Sequence, residues 1–256
     1  MYDNLMLSSA KTVVITGGTR GIGLEITRAF CTAGYQVFVG ARTQPAHTDF
    51  PSSVRFVRTD VRYEADLINL VNSAVSESGS IDVLVNNAGF SAWKSIENIT
   101  ETFLLDMMKT NLFSAFWGCK AAVSTMKSGS SIINISSMAG KRGSSNNSAY
   151  VASKFAMNGL TQSLCKELGP KGIRVNGLCP VLIPSPGLID ALQGPDSPSF
   201  GDDVETFISK FSQSNSPLGR MPLATEVASA CVYLASDLAS GITGQNINVD
   251  CGVFPQ

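Results

Sequence analysis

The feature that most constrains the fold is a strand, a glycine-rich loop and a helix in direct succession near the start of the chain. The run Val13–Ile15 is short and β-branched, which is typical of a buried parallel strand. Gly17, Gly21 and Gly23 follow, and apolar residues then recur with helical spacing until Gly34. Glycines in this context let backbone N–H groups approach a pyrophosphate, so the segment indicates a dinucleotide site, with a plain glycine turn as the alternative.

The rest of the chain repeats this alternation of short apolar runs and amphipathic helices. Alternation of this kind predicts a doubly wound α/β fold, in which a parallel sheet carries helices on both faces. We expect one domain over residues 1–256, with residues 1–10 as a loose lead-in. Strands are expected at 11–16, 36–40, 54–59, 81–85, 132–135, 172–178 and 246–250, and helices at 24–34, 66–78, 100–126, 150–168 and from 225.

Two segments break the alternation. Residues 41–53 contain two prolines and are too short for a full crossover helix, so we expect a loop with at most a turn or two of helix. Residues 184–217, here called the lid, are rich in Pro, Ser, Gly and Asp. A loop of that length in a compact domain usually covers a binding site, so we expect a mostly irregular substrate lid.

Three side chains suited to proton transfer are expected to meet at the carboxyl edge of the sheet. Tyr150 and Lys154 are four residues apart on a predicted helix and therefore share one face. Ser137 follows the fifth strand and can hold a substrate oxygen by a hydrogen bond. A free phenol titrates near ~10, and a neighbouring ammonium lowers that pKa towards a useful range. The alternative is an ordinary surface lysine beside a half-buried tyrosine.

Residues 11–252 resemble the short-chain dehydrogenase/reductase family. Five motifs carry the resemblance in the family's order and spacing: Thr16–Gly23, Asn86–Gly89, Asn111, Ser137 and Tyr150-x3-Lys154. The resemblance implies a single Rossmann-type domain and hydride transfer involving a nicotinamide cofactor. It also implies a homo-oligomer, usually a tetramer and in some cases a dimer.

The resemblance assigns a role to each motif residue. It implies that Tyr150 is the acid/base, that Ser137 positions the substrate oxygen and that Asn111 holds a water in the proton relay. Lys154 would bind the nicotinamide ribose and lower the pKa of Tyr150. Asp60-Val61 would contact adenine, and Asn87 would line the adenosine and ribose side. The cofactor-binding residues expected on this basis are Gly17, Thr19, Arg20, Gly21, Ile22, Gly23, Arg42, Asp60, Val61, Asn87, Tyr150, Lys154, Ile183 and Ser185.

The departures from the family's pattern, which include the shortened region between the second and third strands, lie outside the catalytic residues. Val181 stands where the family has glycine after the sixth strand, and because valine avoids positive φ that turn is expected to be reshaped. Ser185 replaces the usual threonine of the carboxamide-binding stretch. Cys251 replaces a glycine near the C-terminus.

The end of the second strand indicates which cofactor is preferred. An NAD-binding site of this kind places an acid there for the ribose hydroxyls, whereas this chain has Ala41 followed by Arg42, and no acid until Asp49. Arg20, in the glycine loop, can approach the same ribose. Two guanidinium groups suit a 2′-phosphate, so NADP(H) is expected. In the alternative, Arg42 stacks on adenine, Arg20 pairs with an acid and NAD is tolerated.

Composition excludes several classes of protein. A net charge of −1 without a basic patch argues against nucleic-acid binding, and the 44% hydrophobic content indicates a sizeable core. The six scattered cysteines form no CxxC pair, which favours free thiols in a reducing compartment and predicts no metal site. Without a signal-peptide pattern or a long apolar run, we expect a cytoplasmic enzyme with no membrane segment.

Several functions remain open at this point. An NADPH-dependent carbonyl reductase is favoured; the alternatives are an NAD-linked alcohol or diol dehydrogenase, a 3-oxoacyl-[acyl-carrier-protein] reductase and a cofactor-binding regulator without catalysis. The lid has five acids against Lys210, a balance that would repel an acidic carrier unless these are ordinary solvated loop charges. We therefore expect a small keto substrate, such as a keto sugar or a secondary-metabolite ketone. Apolar residues on the helices around Phe116 and Phe155 predict a subunit interface.

Overall fold

Seven strands form one parallel sheet in the computed structural model, which describes residues 11–45 and 50–255. They are β1 (Thr12–Thr16), β2 (Gln36–Ala41), β3 (Arg55–Arg58), β4 (Ile81–Asn86), β5 (Met126–Ile135), β6 (Arg174–Pro180) and β7 (Asn246–Val249). Their order across the sheet is β3-β2-β1-β4-β5-β6-β7, and each adjacent pair is parallel. The order reverses between β1 and β4, and in such sheets ligands bind at the carboxyl ends of the strands beside that reversal.

Helices cover both faces of the sheet. They are α1 (Gly21–Thr32), α2 (Glu64–Ser78), α3 (Glu101–Met108), α4 (Ser114–Ala122), α5 (Ser148–Leu168), α6 (Pro186–Leu192), α7 (Val204–Asn215) and α8 (Ala224–Ala235). The period-two alternation of β1 sorts its side chains between the faces. Val13 and Ile15 pack with α1 and α8, whereas Val14 packs with α2 and α4. The predicted doubly wound arrangement is therefore confirmed.

The helix predicted over 100–126 differs from the observed structure. It is interrupted by a π-helical turn, Lys109–Phe113, and it ends at Ala122. Thr100 caps its first turn as expected, because its side chain accepts a hydrogen bond from the Phe103 N–H. Met126 belongs to β5, which has ten residues instead of the expected four.

The lid is not mostly irregular, because it contains α6 and α7. The Ser185 side chain caps α6, which begins at Pro186, and the Asp203 carboxylate caps α7. Short helices of this kind are set by caps and packing more than by periodicity. The expected cap of α8 is also wrong by two positions. Leu223, not Thr225, is the N-cap residue, and its N–H donates to the Glu226 carboxylate.

The segment after β2 agrees with the expected loop as far as it is described. Residues 42–45 and 50–54 contain no helix, and residues 46–49 lie outside the described part of the chain, as does the predicted lead-in at 1–10. All six cysteines are free thiols. Among the described residues, none of the helices combines the length and apolar character that a membrane span requires.

Candidate active site

One continuous cavity of about 1090 Å³ borders the carboxyl ends of the strands. Its volume is just above the ~300–1,000 Å³ range of small-molecule sites. The structure brings fifteen of the predicted site residues to its wall. They are Gly17, Thr19, Arg20, Gly21, Ile22, Gly23, Arg42, Asp60, Val61, Asn87, Ser137, Tyr150, Lys154, Ile183 and Ser185. Asn111 does not line the cavity and lies behind it.

The glycine loop is held by close backbone packing. Gly17 has φ 68°, donates its N–H to the Gly40 carbonyl at 2.7 Å, and would place a Cβ only 3.0 Å from the Ala88 Cα. A Cβ on Gly23 would overlap the Gly17 carbonyl oxygen. Arg20, the N-cap residue of α1, makes no side-chain cap. The first N–H groups of α1 therefore lack a capping side chain, which suits an anionic ligand.

Asn87 braces this loop. Its Nδ2 donates to the carbonyls of Thr16 at 2.9 Å and Gly17 at 3.1 Å. The Thr16 hydroxyl in turn accepts the N–H groups of Asn87 and Ala88, both at 3.0 Å. The end of β1 and the end of β4 are thereby fixed to each other, so Asn87 orders the loop as well as lining the cavity.

Ser137, Tyr150 and Lys154 lie together as the spacing predicts. Ser137 follows β5 and accepts the Ala139 N–H at 3.1 Å, which fixes its orientation. Its hydroxyl lies close enough to the Tyr150 phenol to act on the pKa of that phenol. One turn along α5, the Lys154 Nζ lies 5.7 Å from the centre of the Tyr150 ring and donates to the Ile135 carbonyl at 2.8 Å. A hydroxyl, a phenol and an amine thus line the same part of the cavity wall.

Burial dominates the titration of both groups on α5. It raises the pKa of Tyr150, and the neighbouring Ser137 hydroxyl opposes that rise. It lowers the pKa of Lys154 to about 8, because the side chain is only 4% exposed. The lowering of the Tyr150 pKa expected from Lys154 is not observed, because burial is the largest influence and the pKa of the phenol is raised. The phenol is held in its protonated form, which is the form that can donate a proton.

Asn111 lies in the π-helical turn and is fully buried. Its Oδ1 accepts the Phe90 N–H, and its Nδ2 donates to the Phe90 carbonyl, each at 2.9 Å. Nδ2 also lies 3.2 Å from the Ser153 hydroxyl. This is the local reason for an asparagine in mid-helix: it ties the loop after β4 to α5. A Cβ on Gly89 would lie 3.1 Å from Asn111 Oδ1 and 3.7 Å from Lys154 Nζ, so a side chain there would crowd the Asn111 amide.

Arginines gather at the end of the cavity beyond β2. Arg20 and Arg42 are exposed, and within residues 11–45 and 50–255 neither has a carboxylate within 4.0 Å. Arg62 also lines the cavity, although no sequence motif marks it. Its guanidinium lies 2.6 Å from an Asp60 oxygen and 3.6 Å from Asp106, and it lowers the pKa of Asp60. The only signal for it is its position two residues after Asp60.

Aromatic side chains form the other end of the cavity, and sequence spacing did not reveal them. They come from the loop after β4, from the turn between α6 and α7, and from α7 itself. They are Phe90, Trp93, Phe200, Phe207 and Phe211. On α6 of the lid, Leu188 also lines the cavity, whereas Leu192 is buried at 1% exposure and Ile189 is 38% exposed outside the cavity wall.

The departures from the family's pattern have local solutions. Val181 has no positive φ and packs with Met138, Met221 and Val253, so this turn does not need a glycine. Cys251 does adopt φ 54°, the left-handed region in which a non-glycine residue is strained. Ser185 caps α6 and lies 3.5 Å from the position of a Cβ on Gly21, which brings the lid to the glycine loop.

Known proteins are similar to this chain over nearly its whole length. A family model described as Enoyl-(Acyl carrier protein) reductase matches residues 17–254. The monensin polyketide synthase putative ketoacyl reductase of Streptomyces virginiae is 38% identical, over 96% of this chain and 97% of that protein. The 3-oxoacyl-[acyl-carrier-protein] reductase of Chlamydia trachomatis is 35% identical, over 95% of this chain and 97% of that protein.

Solved structures agree in fold and differ in cofactor. A variant of actinorhodin polyketide ketoreductase with NADPH superposes with a TM-score of 0.86 at 30% identity, covering 95% of this chain and 97% of that one. The aldohexose dehydrogenase of Thermoplasma acidophilum gives 0.85 at 32% identity, covering 96% and 98%. A 3-ketoacyl-(acyl-carrier-protein) reductase from Brucella melitensis is complexed with NADH and gives 0.82 at 26% identity, covering 95% and 98%.

Proposed function

Because the chain belongs to the short-chain dehydrogenase/reductase family, we propose that it is an NADP(H)-dependent oxidoreductase that interconverts a ketone and a secondary alcohol. One observation carries the proposal. The Ser137 hydroxyl, the Tyr150 phenol and the Lys154 amine share a single cavity with the glycine loop. We treat residues 1–256 as one oxidoreductase domain, with residues 184–217 as its substrate lid.

The chemistry assigned to each side chain follows from its contacts. The bound nicotinamide supplies or accepts the hydride. In the direction of reduction, Tyr150 donates its phenolic proton to the carbonyl oxygen, which Ser137 holds in line by a hydrogen bond. The Lys154 ammonium binds the nicotinamide ribose and stabilises the phenolate that remains. Asn111 supports the loop behind Lys154. We also propose that it holds a water molecule in the proton relay.

The residues present fit a nicotinamide dinucleotide phosphate. The pyrophosphate would lie on the N–H groups at the start of α1, beside Gly21 and Ile22. The adenosine would lie along Asp60, Val61 and Asn87, and the carboxamide along Ile183 and Ser185 in the lid. Arg20 and Arg42 would bind the 2′-phosphate, since Ala41 leaves no carboxylate at the end of β2 to repel it. An NAD-linked alcohol dehydrogenase is the alternative. It is supported by the NADH that one of the similar structures contains.

The proposed substrate is a small keto compound. The aromatic end of the cavity favours a secondary-metabolite ketone over a keto sugar, which would need polar partners for its hydroxyls. A non-catalytic regulator is disfavoured because all of the proton-transfer residues are present.

Reduction of a carrier-bound 3-oxoacyl group is the second candidate, and two relatives named as ketoacyl or oxoacyl reductases favour it. The charge argument against it is weaker than the sequence suggests. Asp202 pairs with Lys210 at 2.7 Å, Asp203 caps α7, and Asp196 accepts the Ser95 N–H. Three of the five lid acids therefore have partners within the chain, which weakens the argument that the lid would repel an acidic carrier.

A conservative variant tests the proposed reaction. Tyr150→Phe keeps the ring and removes the proton, so turnover of a ketone should fall by roughly 10²-fold or more while NADPH binding stays intact. The measurements are NADPH oxidation at 340 nm and cofactor binding by fluorescence titration. Near-normal turnover in this variant would remove Tyr150 from the reaction.

We also propose a homo-oligomer, a tetramer or a dimer, located in the cytoplasm. Part of the apolar surface that predicts a subunit interface is already covered within the chain, because Leu160 on α5 is only 6% exposed. Phe116 on α4 and Phe155 on α5 remain 45% and 47% exposed and are the residues that a partner would cover. Light scattering at micromolar concentration should give a multiple of the 27.0 kDa chain mass, and the chain mass itself would contradict the proposal.

A further inference from the structure

We infer that the ketone accepted by this site has a broad, flat apolar body, as in a fused-ring or aryl ketone, and that aromatic side chains of the lid pack against it. This inference rests on the proposed function and deepens it. It is carried by the five rings at one end of the cavity, by an exposed phenylalanine at its rim, and by contacts that fix the lid in place.

The rings on α7 are anchored close to the reacting groups. Phe207 and Phe211 are four residues apart, with ring centroids 6.2 Å apart and planes inclined at 40°. Phe211 also packs into an apolar cluster that contains Met138, the residue directly after Ser137. An aromatic surface is therefore attached to the same segment that orients the substrate oxygen. Rings at such spacing pack well against flat apolar or aromatic groups.

Phe200 provides an independent observation. It lines the cavity yet is 93% exposed, and it adopts φ 51°, followed by Gly201 at φ 87°. A left-handed backbone at a non-glycine residue costs on the order of 1 kcal/mol or more, and strain of this kind clusters at ligand clamps. Nothing within the described residues buries this ring. A flat substrate that enters the cavity would cover this ring. The strained backbone would then serve to place the ring against the substrate.

Polar contacts hold the lid against the rest of the molecule. The Asp196 carboxylate accepts the Ser95 N–H at 3.1 Å, and its carbonyl accepts the Asn146 side chain at 3.2 Å. The Lys94 N–H donates to the Asn146 carbonyl at 2.6 Å. These bonds fix Trp93, on the same loop as Lys94, relative to the turn that carries Phe200. The rings therefore form a preformed site, which favours a rigid substrate.

Two ketones that differ by one fused ring test the inference. 2-Tetralone is cyclohexanone with a fused benzene ring, so kcat/KM with NADPH should be about 30-fold or more higher for 2-tetralone, from the added apolar area alone. Phe200→Ala should lower kcat/KM for 2-tetralone by about tenfold and change that for cyclohexanone by less than about twofold. Tyr233→Ala, an exposed aromatic on α8 outside the cavity, is the matched control and should change neither.

Equal efficiency with the two ketones, or an equal loss on both in Phe200→Ala, would overturn the inference. Calorimetric titration of 2-tetralone into the NADPH-loaded enzyme separates this from failure of the proposed reaction. If neither ketone is reduced but 2-tetralone binds with an affinity that Phe200→Ala weakens, the reaction is wrong and the aromatic site stands. If 2-tetralone does not bind, or binds equally well to both proteins, the aromatic site is wrong.

Discussion

The two ends of the cavity are built in different ways. The cofactor end depends on backbone packed against backbone, at positions such as Gly17 and Gly23 where no side chain fits. The lid end depends on side chains: caps at Ser185 and Asp203, and a hydrogen-bonded tie at Asp196. A backbone constraint leaves a glycine that is visible in the sequence, whereas many side-chain combinations can build a lid. Motif reasoning therefore reaches the cofactor end and misses most of the lid.

The largest expected difference between the two ends is the change in the free energy of unfolding when one methyl group is added. A Cβ on Gly23 would overlap the Gly17 carbonyl, so Gly23→Ala should lower the free energy of unfolding by about 3 kcal/mol, at the upper end of overpacking costs. Gly187→Ala, on α6 of the lid, meets no atom within 4 Å and should stabilise slightly, by about 0.5 kcal/mol. Urea unfolding of the two variants beside the parent measures both values. Equal effects would mean that the ends do not differ in this respect.

The same contrast explains what the sequence predicts and what it does not. The strands are predictable because each buried run, such as Val13–Ile15, is apolar and short and lies beside a turn. Ser137, Tyr150 and Lys154 are predictable because a strand end and helical spacing fix their positions. The break in the helix at Asn111 is not, since it depends on hydrogen bonds to Phe90, far along the chain.

The helices of the lid and the aromatic residues of the cavity could not be predicted from the sequence, because they depend on tertiary contacts. The α6 helix has only seven residues and no periodic pattern long enough to recognise. Phe200 and Phe207 are single aromatic residues in a polar stretch, and only the folded chain shows that they share a cavity with Tyr150. Arg62 similarly gains its place through Asp106, on a helix more than forty residues later.

The next largest effect concerns cofactor choice, at the cofactor end alone. With Arg20 and Arg42 available and Ala41 in place of an acid, kcat/KM should favour NADPH over NADH by at least ~10-fold, about 1.4 kcal/mol. The double change Ala41→Asp and Arg42→Leu should reverse the preference. Its effect on the KM for the ketone should be less than about twofold, because the lid is untouched. NADH equal to or better than NADPH in the unmodified enzyme would contradict the roles given to these arginines.

A smaller effect should be confined to the lid end. Asp196→Ala removes the acceptor of the Ser95 N–H while leaving the backbone contact with Asn146, a loss of about 1 kcal/mol. The KM for the ketone should rise about fivefold and the KM for NADPH should not change. Asp190→Ala, another lid acid that is exposed, is the control and should leave both constants as they are. If the NADPH constant rises as much as the ketone constant, the two ends are coupled through the lid.

The smallest expected effect over a single step, about twofold per pH unit from pH 7 to pH 8, is a pH dependence at Lys154, the residue that belongs to both ends. Burial lowers its pKa to about 8, so its charged fraction falls from about 90% at pH 7 to about half at pH 8. The ammonium is the form assigned to the ribose, and kcat/KM for NADPH reports the free enzyme. That constant should therefore fall about twofold between pH 7 and pH 8, and about tenfold by pH 9.

The sign of this change is specific to Lys154. Burial raises the pKa of Tyr150, so the phenol keeps its proton across the same range of pH. Tyr150 therefore does not cause the fall in kcat/KM for NADPH. Lys154→Arg keeps a positive charge at every pH in the range, because a guanidinium titrates above ~12. Any NADPH-dependent reduction that remains in this variant should be constant from pH 7 to pH 9. The same decline with pH in Lys154→Arg would assign the titration to another group, and a rate that rises with pH in the unmodified enzyme would show that the charged amine is not the active form.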